Sequence, residues 1–137
     1  MFKAKVYKVS IPSSGILLEE EHNAHDVITR WNIEEGDKTG VTFLTVPNGY
    51  KGITPDLFIF VIDNYVDEQK VETAIATGVK VILFFRNHHD EKNTIVSEIK
   101  SIHDYRSRVE LRCSCVDYEN NSQFERILMS QLEKFIC

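Results

Sequence analysis

Two apolar runs constrain the fold of this chain more than any other feature. Leu57-Phe58-Ile59-Phe60-Val61-Ile62 and Val79-Lys80-Val81-Ile82-Leu83-Phe84-Phe85 are of strand length, and Lys80 is the one polar residue in them. A strand with one wet face alternates apolar and polar residues. An unbroken run belongs to a strand covered on both faces, as in parallel sheets. Between the runs Val71, Ala74 and Ile75 recur at helical spacing, Asp67 can cap that helix and Gly78 can end it. A buried strand, a helix and a second buried strand in succession form a βαβ unit.

The same alternation extends to both ends. Lys3 to Ile11 reads as a strand through Val6, Tyr7 and Val9, ended by Pro12. Leu17, Ala24, Val27, Ile28 and Trp31 follow at helical spacing. Glu19, Glu20 and Glu21 sit early in that helix, where its dipole favours negative charge. The spacing predicts that this helix fades around Glu34, because Gly36 and Gly40 bracket a polar stretch. Val41 to Val46 is a second strand, stopped by Pro47, and the link to the third strand is short and carries no helical stripe. Ile95, Ile99 and Ile102 mark a third helix, Val109 to Cys113 reads as a weaker last strand, and a final helix starting at Asn121 or Ser122 buries Phe124, Ile127, Leu128, Leu132, Phe135 and Ile136. The expectation is one domain over residues 1–137: an α/β fold with a doubly wound, five-stranded parallel sheet, flavodoxin-like, in the order 2-1-3-4-5.

Charge and cysteine content narrow the function classes. With 21 acidic against 16 basic residues the net charge is -5, a poor match to nucleic acid, whose binding depends on Lys and Arg neutralising phosphates. No apolar run approaches the ~20 residues of a membrane span. The start of the chain lacks the apolar block of a signal peptide, so a cytoplasmic setting is expected. Three cysteines, Cys113, Cys115 and Cys137, form no even disulfide framework, and no further ligands are spaced to join them at a metal.

In doubly wound sheets ligands bind beyond the strand carboxyl ends. That rule selects Ser13, Ser14 and Gly15 after the first strand and Asn48, Gly49 and Tyr50 after the second. Asp63, Asn64, Tyr65, Asp67 and Glu68 follow the third, Arg86, His88, His89 and Asp90 the fourth, and Asp117, Tyr118 and Glu119 the fifth. Ser13-Ser14-Gly15 can hold a phosphate or sugar hydroxyl on backbone amides, or serve as a turn and helix cap. Asp63, Asp67 and Glu68 can act on a ribose, as carboxylates do in glycoside chemistry, or be a strand stop, a cap and solvated acid. Glu68 and Glu72 are four apart and share a helical face. His88 and His89 are adjacent and fit a polar loop better than a metal site.

Several segments resemble bacterial TIR-like domains related to nucleoside 2-deoxyribosyltransferases. They are Pro12-Ser13-Ser14, Glu19-Glu20-Glu21 leading to Val27-Ile28, Arg30-Trp31-Asn32, Val41 to Val46, Asp56 to Ile62, Ala76-Thr77-Gly78 and Val79 to Phe85. The resemblance covers nearly the whole chain, with Trp31-Asn32 and the junction at Gly78 as its best local matches. It implies cleavage of an N-glycosidic bond of NAD or a related nucleoside in active members, in a defence or signalling setting, and no resident cofactor. It also implies self-association or a partner protein. In these relatives the catalytic glutamate lies eight residues before the helix-ending glycine, and Lys70 stands at that position here. Glu68 and Glu72 flank it, each turned by about 200° on the helix. Glu68, in the first turn, is the better substitute, with Glu72 second, and Ser13, Ser14, Gly15, Asp63, Asn64, Tyr65 and Asp67 are the expected ligand contacts. The other expectation is a TIR-like module that binds a nucleotide or a protein without turnover.

Overall fold

The computed structural model describes residues 5–12, 18–46, 54–62, 66–86 and 96–136. The elements are β1 (Lys5–Ser10), α1 (Leu18–Thr39), β2 (Val41–Thr45), β3 (Leu57–Ile62), α2 (Glu68–Ala76), β4 (Lys80–Arg86), α3 (Val96–Val109), β5 (Ser114–Tyr118) and α4 (Asn121–Ile136). The five strands form one sheet in the order β2-β1-β3-β4-β5, and every pairing is parallel. The doubly wound, flavodoxin-like architecture expected from the alternation is present. Among the described residues no helix is long and apolar enough to cross a membrane.

Side chains alternate across the sheet, so odd and even positions of the apolar runs enter two different cores. Leu57, Ile59, Val61, Ile82 and Phe84 pack with Ala24, Val27, Ile28 and Trp31 of α1 and with Phe124, Leu128 and Leu132 of α4. Phe58, Phe60, Ile62, Val81, Leu83 and Phe85 pack with Val71 and Ala74 of α2 and with Tyr105 and Val109 of α3. Each Leu, Ile or Phe buried this way contributes about 1.5–3 kcal/mol. An unbroken apolar run is thus the sequence of a strand that feeds two cores at once.

Trp31 and Asn32 dock α1 on the edge strand. The Trp31 ring meets Phe43 edge-on at 4.9 Å. The Asn32 amide donates to the Phe43 carbonyl at 2.8 Å, and its oxygen accepts from the Phe43 N–H at 2.8 Å. These backbone groups face away from β1 and would otherwise be an open pairing edge.

Two boundaries differ from the sequence reading. α1 does not fade at Glu34 but runs to Thr39. Gly36 is buried inside it because a Cβ there would lie 3.3 Å from the Val41 carbonyl oxygen. The stop is Gly40, with φ of 71°, a left-handed conformation that glycine adopts without strain. The last strand is Ser114–Tyr118 rather than Val109 to Cys113. Val109 ends α3 and is fully buried one turn after Tyr105, so its β-branched side chain completes a helical stripe.

Candidate functional site

Much of the strand-end list lies outside the described residues: Ser13, Ser14 and Gly15; Asn48, Gly49 and Tyr50; Asp63, Asn64 and Tyr65; and His88, His89 and Asp90. The described part of this end is built by the last residues of β1, β4 and β5 and the first turns of α1 and α4.

Glu20 is its most buried charge. It falls in register with Ala24, Val27 and Trp31 on the core stripe of α1, so the helix carries it over the sheet with a side chain 6% exposed. Arg86 closes β4 on the same face and brings its guanidinium 3.5 Å from Glu20 Oε1. An unpaired carboxylate so placed would cost several kcal/mol, and Arg86 offsets that cost. Next to Glu20, Glu19 accepts from the Asn121 amide at 2.6 Å. Among the described residues Asn121 Oδ1 has no hydrogen-bond partner, and neither has the hydroxyl of Ser10, which is fully buried at the end of β1. The described strand end therefore holds a buried acid paired to an arginine, an unused hydroxyl and an unused amide oxygen. Such groups recognise hydroxylated or polar ligands by hydrogen bonding.

Glu20 was legible in the sequence as one of three acids at a helix start, not as a site residue. The available signal was its spacing of four and eleven residues from Ala24 and Trp31, which places an acid on an apolar stripe.

The candidate carboxylates of α2 sit elsewhere. Asp67 is the N-cap of α2 and accepts from the Lys70 N–H at 3.2 Å. The Lys70 ammonium lies 4.0 Å from the same carboxylate. Glu68 Oε1 accepts from Arg108 at 3.2 Å. Glu72 takes both terminal nitrogens of Arg112, at 2.8 and 2.5 Å. Arg108 is in the last turn of α3 and Arg112 precedes β5, so these pairs tie α2 to the turn that enters β5 at its amino end. The hydrogen bonds from Arg112 hold the Glu72 carboxyl below the usual carboxylate range. Arg106, also in the last turn of α3, reaches Asp117 on β5 and extends this lattice.

Burial pushes the Tyr105 hydroxyl up to about 12, helped by Glu72 and Glu68. It likewise pushes the Cys113 thiol up to about 12 and raises Cys115. Both cysteines are free and half-buried, packed beneath α3, and held as thiols they are poor nucleophiles. Among the described residues no group of three His, Cys, Asp or Glu side chains is placed to hold a metal ion.

No protein-family model matches the chain, and no curated protein matches its sequence. A similar solved structure is the apo form of translation elongation factor SelB from Methanococcus maripaludis, with a TM-score of 0.56 and 14% identity. The match covers 98% of this chain and 36% of that one. At this identity the likeness is one of fold alone: the chain has the backbone arrangement of one part of a larger protein.

Proposed function

We propose that this chain is a TIR-like binding module that engages a nucleotide or a protein partner without cleaving an N-glycosidic bond. The observation that supports this reading is the engagement of both candidate carboxylates. A carboxylate that attacks or stabilises an anomeric carbon needs a free face toward that carbon. Glu68 and Glu72 instead meet Arg108 and Arg112 on the α3 side of α2, and Lys70 occupies the position where the relatives carry their glutamate. The fold itself is neutral between enzyme and module.

The test is a time course of nicotinamide release from NAD at high protein concentration, with Glu68→Ala and Glu72→Ala in parallel. The module reading expects no release from any of the three proteins. Release that either substitution abolishes overturns it and establishes a glycohydrolase. Thermal melting with and without NAD then sharpens the reading: a rise in Tm assigns a nucleotide ligand, and an unchanged Tm removes NAD as the ligand and turns the search to protein partners and other nucleosides.

A further inference from the structure

At the end of the sheet opposite the strand carboxyl ends lies an opening beside the last turns of α4. The helix begins over β5 and β4, where Phe124 meets Phe84 at 4.9 Å and Tyr118 at 5.2 Å. It ends over β1 and β2, where Phe135 meets Tyr7 at 4.9 Å and Phe43 at 6.1 Å. A helix on that diagonal leaves Lys80 exposed and Ser114 and Val116 half-buried at the amino-terminal ends of β4 and β5, while Ile82 stays buried. The opening has a volume of about 600 Å³, within the range of small-molecule sites.

Its lining is amphipathic. Val116 and Phe135 supply apolar surface, and Ser114 and Gln131 supply a hydroxyl and an amide. Lys80 and Lys134 also line it, both exposed. Among the described residues neither ammonium is in a hydrogen bond or ion pair. In a chain with 21 acidic and 16 basic residues, two unengaged lysines beside one opening are a local excess of positive charge. Glu110 lines the same opening, so its side chains carry a net charge of +1, two lysines against one glutamate. We infer that this opening binds an organic monoanion carried on an apolar chain or ring, such as a medium-chain carboxylate. The body of the ligand would cover Val116 and Phe135, while the exposed ammonium groups of the two lysines would hold its charge. This inference is independent of the strand-end site and of the binding-module reading.

The probe is 8-anilinonaphthalene-1-sulfonate, an aromatic monoanion whose fluorescence rises on desolvation, titrated into the full 137-residue chain. A saturable, single-site rise is expected, reversed by decanoate. Decanol, the uncharged chain of the same length, should displace the probe about tenfold less well. Lys80→Glu with Lys134→Glu should weaken probe and decanoate by about tenfold or more, with the melting curve unchanged. Val116→Trp, which fills the opening and leaves both lysines in place, should also weaken them. Lys38→Glu with Lys100→Glu, the same charge change elsewhere, should not. Unsaturable binding, equal displacement by decanol, or full binding by the Lys80/Lys134 variant would overturn the proposal. Loss of binding in Val6→Glu with Leu44→Glu would do the same, because it would place the probe on the opposite face of the sheet.

Discussion

Every residue of β3 and Val81 to Phe85 of β4 are buried, whereas β1 and β2 carry half-exposed apolar side chains on one face, Val6 at 52% and Leu44 at 53%. The difference lies in which helices cover which strands. α1 and α4 cover one face of the whole sheet, but α2 and α3 cover only its β3–β4–β5 side on the other. Among the described residues no helix lies between β2 and β3, and Val6 and Leu44 stay half-exposed. The central half gains its stability from two cores. Among the described residues the β1–β2 half has one core and side chains that protect its edge.

Paired substitutions on the two halves test this contrast most directly. Leu83→Ala in β4 removes a fully buried side chain and should cost about 2–5 kcal/mol in urea unfolding. A loss below 1 kcal/mol would mean that α2 and α3 do not hold that core tightly. On the other half, Asn32→Ala strips both partners from the Phe43 backbone and should cost about 1–3 kcal/mol. Asn32→Asp, which can still accept from the Phe43 N–H but not donate to its carbonyl, should fall between. Asp67→Ala, which uncaps the helix over the central half, should cost about 1 kcal/mol by thermal melting.

The α2–α3 lattice adds a pH-dependent contribution. The Glu72 carboxyl is held below its unfolded value, so its stabilisation is present above about pH 4.5 and lost as the pH falls through the depressed value. Tm measured from about pH 6 down to pH 3 should fall less steeply in Glu72→Gln than in the parent chain. Equal slopes would mean that the pair with Arg112 does not persist in solution. The smallest effect belongs to Leu44→Ala, which should change stability by less than about 0.5 kcal/mol. A cost approaching that of Leu83→Ala would show that another segment covers this face, and the two halves would then be alike.

The contrast between the halves was legible in sequence because strand burial is a local pattern. Leu57 to Ile62 has no polar residue, while Lys5 to Ser10 is interrupted by Lys5, Lys8 and Ser10. The site was legible only in part. The strand-end rule selected Arg86 but passed over Glu20, because an acid at a helix start has an ordinary explanation in the dipole. Glu68 and Glu72 were placed on one helical face correctly, but periodicity does not say which neighbour that face meets.

What the sequence alone determined was the element order, the strands with two buried faces, and the core stripe through Trp31, all set by periodicities of two and 3.6 residues read over a short window. The tertiary structure decided the rest. Whether Gly36 sits inside α1 depends on its approach to Val41. The partners of Glu72 and Glu20 lie 40 and 66 residues away along the chain. The opening beside Lys80 and Lys134 is lined by residues of β4, β5 and α4 that lie far apart along the chain. Local spacing governs whether a segment is helix or strand and which face is apolar. Pairings between distant side chains, and the gaps left where elements cross, arise only when the elements pack, because their energies depend on distances through space rather than along the chain.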